Sequence, residues 1–314
     1  MRIMASVFKR DRLRPVYKWL ARLALVGSFA FVYFAIHQVI QSEKISPFGA
    51  STWFRITLSS FGYALLLQLV ALAWTLVLRG ASNGVPSVRS CLLICGRTQI
   101  YKYLPTNMLH LVGRYQAARS KGASHRSLGL AQVIDLTVIL LAAAAVAAAL
   151  GYSIFAENLK RHVGAISPLG FFAITASVAC IGITIGVIFI RRAGGRLTSA
   201  VAAVPGAFVL YVIFFIGNGA LMAALINGLV LEAPALAWIV AVTTIAWVVG
   251  YVVPGAPGGL GVRDASLIAS LGSSLPIEVA VAAALAHRLV TTFGDAIVAA
   301  LAFWMSNRTP NAIG

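Results

Sequence analysis

The segment Ser127–Leu150 reads SLGLAQVIDLTVILLAAAAVAAAL, 24 residues holding one charged side chain, Asp135. A helix needs about 20 apolar residues to cross the roughly 30 Å hydrocarbon core of a bilayer, so this stretch predicts a membrane span. Working outward, comparable runs occupy 20–40, 56–78, 168–190, 204–228, 235–253 and 277–304. None shows the strict alternation of a lipid-facing strand. Composition agrees: 60% of the 314 residues are hydrophobic, 11% are charged, and the mean hydropathy is +0.90. Soluble domains carry about 25% charged residues, so two soluble domains of this length are excluded. The reading is an all-α polytopic membrane protein with about seven transmembrane helices.

The formal charge of +17 follows from where the cations stand. Lys and Arg collect in the leader (Arg2, Lys9, Arg10, Arg12, Arg14, Lys18, Arg22), in 79–126, which has no acidic residue, and at Arg191, Arg192 and Arg196. Alternate loops are nearly balanced. Positive residues mark the cytoplasmic side, which places the N-terminus in the cytoplasm of an inner-membrane protein and removes the need for nucleic acid. The first run is too long for a signal-peptide core and is expected to stay as a helix. The expected organisation is a basic cytoplasmic leader (1–19), one transmembrane domain (20–305) and a short tail (306–314). Cys91 and Cys95 lack neighbouring ligands, and no metal or cofactor is expected.

Two stretches, near 86–122 and 251–272, are apolar but interrupted by proline, and each is too broken to cross as one helix. They predict re-entrant or broken helices around a central cavity, because irregular backbone at membrane depth must be buried in protein or line a wet space. The first contains Tyr103-Leu-Pro-Thr-Asn-Met-Leu-His-Leu-Val-Gly-Arg114; the second contains Tyr251-Val-Val-Pro-Gly-Ala-Pro-Gly-Gly-Leu-Gly-Val-Arg-Asp264. Pro105 precedes Arg114 by nine residues and Pro254 precedes Arg263 by nine, with Gly113 and Gly261 near each arginine. Paired interruptions of this kind point to a transporter binding site.

The chemistry of such a site suits an anion. A helix that starts after a break presents free N–H groups and the positive end of its dipole. Gly258, Gly259 and Gly261 would let a phosphate approach the backbone, and Arg114 and Arg263 would offer planar paired donors. Arg114 also fits the positive-inside set, and Arg263 also fits a local pairing with Asp264. Within the spans, Asp135, Arg288 and Asp295 are ionisable groups that must face protein or water. Arg288 and Asp295 share a helix face with Thr291 and Thr292, as either interhelical glue or a pathway lining. Asp135, Asp264 and Asp295 are candidate charge-balancing or proton sites. His110, His287, Gln68 and Asn218 read as packing or interhelical hydrogen bonds. No P-loop, G-x-S-x-G or H-E-x-x-H occurs, so transport rather than catalysis is expected.

Those two motifs resemble the lysylphosphatidylglycerol synthase transmembrane-region family, the flippase portion of the multiple peptide resistance factor, which also occurs as free-standing proteins. The resemblance spans roughly 20–305, with Arg288 similar to a late family arginine. It implies a flippase for a phosphate-bearing lipid, either an aminoacylated phospholipid or a polyprenyl-phosphate-linked sugar. Arg114, Arg263, Arg288, Asn107, Gly258, Gly259 and Gly261 would then contact the substrate. Departures are Thr106 within the first motif, Asp264 for the common Glu, and Gln132 and Val133 where a Glu-Arg pair is common. No aminoacyl-transferase domain is expected here. Alternatives are a proton-coupled carrier of a small anionic solute, or a non-transporting partner of a separately encoded lipid- or glycan-modifying enzyme.

Overall fold

A computed structural model of the chain describes residues 49–81, 86–103, 109–162, 197–252, 259 and 261–308. The leader, the runs 20–40 and 168–190, Asn107, Gly258 and the last six residues lie outside the described residues. Among the described residues there is no strand. The helices are α1 (Ala50–Ala81), α2 (Val88–Gln99), α3 (Leu109–Ser120), α4 (His125–His162), α5 (Leu197–Ala202), α6 (Val204–Ile226), α7 (Leu236–Val252), α8 (Val262–Leu271) and α9 (Ile277–Arg308).

Four helical stretches are long and apolar enough to cross a membrane: Ala50–Ala81, His125–Gly151, Ser199–Ile226 and Ile277–Arg308. They coincide with four of the expected runs. The run 235–253 forms α7, whose 17 residues extend about 25 Å. Its described part ends at Val252, two positions before Pro254 in the sequence, a residue type that interrupts helices. α9 continues to Arg308, past the expected end of its run.

Side chains are distributed inside out. On α1, Phe54, Leu58, Phe61 and Leu65 form an outward stripe, each more than half exposed, while Ser60, Tyr63 and Trp74 are buried. On α9 the outward residues are Phe293, Leu301 and Trp304, and the inward ones include His287, Thr291 and Asp295. Water would penalise that outer surface. Lipid does not, and the polar groups turn inward to find partners.

α1 packs against α6, α9, α4 and α2, and α7 packs against α4, α6 and α8. α6 and α7 approach closely because Gly219 has no side chain: a Cβ there would stand 2.5 Å from Val240 Cα. α2 and α3 form a hairpin, joined at the tip by the 3-10 turn Ile100–Tyr103 and the chain that follows. One groove of about 350 Å³ between them runs from Ser90 beside Ser120 and Lys121 to Thr98 beside Gly113, so the two helices are antiparallel. At 12 residues each, they reach about 18 Å, well short of a crossing. Both α2 and α8 rest on α9.

Local signals set these ends. Ser87 caps α2 by accepting the Ser90 N–H at 3.2 Å. Gly122, at φ 91, turns α3 into the link to α4, with the Ala123 N–H returning to Ala118 O. Ser124 then accepts the Ser127 N–H at the start of α4.

Candidate functional site

A cavity of about 90 Å³ lies where the two interrupted segments meet the long helices. The first segment supplies Gln99 and Lys102 from the hairpin tip and His110 and Arg114 from α3. The second supplies Gly259 and Arg263, beside Trp247, Gly250 and Tyr251 at the end of α7. α1 adds Tyr63, α4 adds Asp135, and α6 adds Tyr211 and Phe214. Three cations and one carboxylate therefore line the space among the described residues. The volume holds a phosphate-sized group or a few waters.

Arg114 is buried, with its guanidinium 5.7 Å from the centre of the Trp74 ring. Its Nε has no hydrogen-bond partner among the described residues. Asp135, also buried, accepts a hydrogen bond from the Tyr211 hydroxyl and attracts Arg114 electrostatically. Aromatic rings back this side of the cavity. Trp247 stacks on Tyr251 at 4.7 Å and 14°, and meets Phe215 edge-on at 5.1 Å.

Arg263 is aimed by a relay. Its Nη2 donates to His287 Nδ1 at 3.1 Å, and His287 Nε2 stands 3.2 Å from Asn218 Oδ1. A guanidinium has no acceptor, so Nδ1 must accept and the ring proton must sit on Nε2. His287 is thereby fixed as one neutral tautomer. Asn218 makes the interhelical bond expected of it. Gln68 does not: its Nε2 donates to Ala64 O within α1 at 3.2 Å, because the neighbouring carbonyl lies within reach on its own helix.

The glycines act on Arg263 as well. A Cβ at Gly250 would come 2.7 Å from Arg263 Cβ, and one at Gly259 would come 3.3 Å from both Arg263 Cβ and Gly250 Cα. Gly259 and Gly261 have φ of 72° and 81°, a region that L side chains adopt only with strain. These glycines bring the break against α7 and set where Arg263 emerges.

Several expected site residues stand elsewhere. Asp264 does not line the cavity. It caps α8, accepting the Gly261 N–H at 3.3 Å, since successive residues on a helix point about 100° apart. Arg288 is half-buried, its guanidinium 6.0 Å from the Tyr103 ring centre, and is outside the cavity lining. Asp295 is buried and accepts from three donors of the hairpin tip: Gln99 Nε2 at 3.1 Å, Tyr103 Oη at 2.5 Å and Lys102 Nζ at 2.6 Å. The polar stripe on α9 therefore meets the first interrupted segment.

Lys102, Gln99, Tyr63, Tyr211 and Tyr251 were not evident as site residues from sequence. Lys102 was concealed among the positive-inside cations. The signal for Tyr63 and Tyr211 was their depth within apolar runs, where a phenol hydroxyl needs a partner that an interfacial tyrosine finds in water. Neither a family model nor a curated protein matches the chain.

Proposed function

We propose that this protein translocates a phosphate-bearing lipid between the leaflets of the cytoplasmic membrane, with its N-terminus on the cytoplasmic side. The observation that carries this reading is the convergence of Lys102, Arg114 and Arg263 on one cavity with a single lining carboxylate, Asp135. Asp295 pairs with Lys102 and Asp135 balances Arg114, while buried Arg263 bonds a neutral histidine. A buried positive charge held in this way is costly, and a phosphate would supply its counter-anion. The N-terminus of α8, which begins at Val262, adds the positive end of a helix dipole. The cavity admits the phosphate while the apolar tails stay against the exposed outer faces of the helices. Asp135 balances Arg114 before the phosphate arrives. The resemblance of the two interrupted motifs to the flippase-domain family supports the same reading, and leaves an aminoacylated phospholipid and a polyprenyl-phosphate sugar as candidate cargoes.

The small volume also suits a proton-coupled carrier of a free inorganic anion, with Asp135 as the proton site. Reconstitution in liposomes separates the two. A flippase moves a fluorescent phospholipid between leaflets and loses that activity in Arg263→Ala and Arg114→Ala, with thermal stability retained. A solute carrier takes up radiolabelled phosphate and leaves the lipid in place. Wild-type lipid translocation in both variants would overturn the assignment.

A further inference from the structure

Among the described residues, Lys102 is the cavity cation that has a close ion-pair partner, Asp295, which itself stands outside the cavity lining. The ammonium thus bridges two places: it lines the space where an anion would bind, and it contacts a carboxylate on α9. Its position is crowded by like charge, since Arg263 and Arg288 both act on it electrostatically. The carboxylate is over-supplied with donors. Gln99 Nε2 serves Oδ1, and the Tyr103 hydroxyl serves Oδ2, so each oxygen keeps one hydrogen bond if Lys102 leaves. A lysine is suited to leave: its charge sits on a flexible four-carbon stem and carries three rotatable donors.

We propose that Lys102 is a third cationic ligand for the bound phosphate and that Asp295 is its exchange partner, holding the ammonium in reserve and yielding it to the entering anion. The proposal rests on the reading of the cavity as an anion site. Binding swaps the carboxylate partner of Lys102 for a phosphate oxygen, and the Gln99 and Tyr103 hydrogen bonds solvate the Asp295 carboxylate that is left behind. It also loosens one of the bonds through which the α2–α3 tip holds Asp295 of α9, so occupancy is reported to the hairpin. Asp295 is then a positioning residue, and Lys102 is a binding residue.

The test is titration of the purified full-length protein, followed by tryptophan fluorescence because Trp247 lines the cavity. The two probes are inorganic phosphate and micelle-free dihexanoyl phosphatidylglycerol. Lys102→Met should weaken binding about tenfold, the loss of one charge-assisted contact. Asp295→Asn should tighten it several-fold, because the competitor for the ammonium has lost its charge. The double variant should bind like Lys102→Met alone. Parallel weakening in both single variants would assign Asp295 a merely structural role and overturn the exchange. So would wild-type affinity in Lys102→Met while Arg114→Ala and Arg263→Ala weaken binding. If no variant alters binding, or neither probe binds, the anion-site reading fails as well. Tighter binding of the lipid than of inorganic phosphate would identify a headgroup source; equal binding would identify a free anion. The opposite signs support the exchange with either source. Hydrogen exchange at 99–103 supplies a second readout: phosphate should raise it in the wild type and leave it unchanged in Asp295→Asn.

Discussion

The tip of the α2–α3 hairpin is tied to α9 by ionic and polar side chains, whereas Gly259 and Arg263 are set against α7 by close glycine contacts. Both segments carry a proline nine residues before an arginine, and both arginines reach one cavity. In the first, no acidic residue lies anywhere in 79–126. Its counter-charges come from distant helices, Asp295 on α9 for Lys102 and Asp135 on α4 beside Arg114. In the second, Gly250 and Gly259 press the chain against Arg263, and Asp264 caps the helix from within. Similar sequence spacing therefore conceals two mechanical designs. The first can exchange partners as charge enters; the second holds its arginine in a fixed place.

The largest difference between the two should come from Asp295→Ala. Removing the carboxylate leaves Lys102 unpaired in a mostly buried setting, and breaking such a pair costs about 3 kcal/mol or more. Thermal unfolding in detergent should fall accordingly, and limited proteolysis should open the chain around 99–108 before any site in α7 or α8. Equal susceptibility of both segments would erase the contrast. Gly259→Ala should act on the second segment alone. A residue with a Cβ at a φ of 72° is strained by roughly 1–2 kcal/mol, and the added methyl displaces Arg263. Anion binding should weaken while the α2–α3 hairpin keeps its wild-type proteolysis pattern. Ser87→Ala should take about 1 kcal/mol from the first segment only, by uncapping α2, with anion affinity unchanged.

Four of the seven expected spans stand as long apolar helices among the described residues, legible because about twenty apolar residues are a local signal. The short helices α2, α3 and α8 fall within the two stretches that sequence marks as interrupted, while Pro105 and Pro254 themselves lie outside the described residues. Arg114, Arg263, Asp135 and Gly259 were identified from sequence and do share one cavity. What sequence did not disclose was pairing. Asp295 and Lys102 are 193 positions apart, and neither has a local feature that names the other. Asp295 reads as a neighbour of Arg288 on the same helix face, about two turns along, until the hairpin is packed against it. Asp264 reads as a counter-ion beside Arg263 until helix geometry turns the two apart. Long-range charge pairing is decided by tertiary packing, and a single sequence holds no periodicity that encodes it.

Asn218→Ala should have the smallest effect, and it probes how rigid the second design is. Asn218 touches neither the cavity nor Arg263; it only accepts the Nε2 proton of His287. Interhelical hydrogen bonds of this kind contribute about 0.6 kcal/mol on average, so unfolding should shift little. The tautomer should shift more. Without Asn218 Oδ1, Arg263 alone still favours the proton on Nε2, but that buried proton loses its acceptor, so the preference weakens. A proton on Nδ1 turns the acceptor for Arg263 into a competing donor. Nitrogen chemical shifts of the His287 ring should report a single Nε2–H form in the wild type and a mixture in the variant, with anion affinity reduced a few-fold. His287→Gln can still accept from Arg263 through its side-chain carbonyl, so its affinity should lie nearer the wild type than that of His287→Leu. An unchanged tautomer in Asn218→Ala would mean that the Arg263 N–H alone fixes the imidazole, which would make the second segment still more rigid relative to the first.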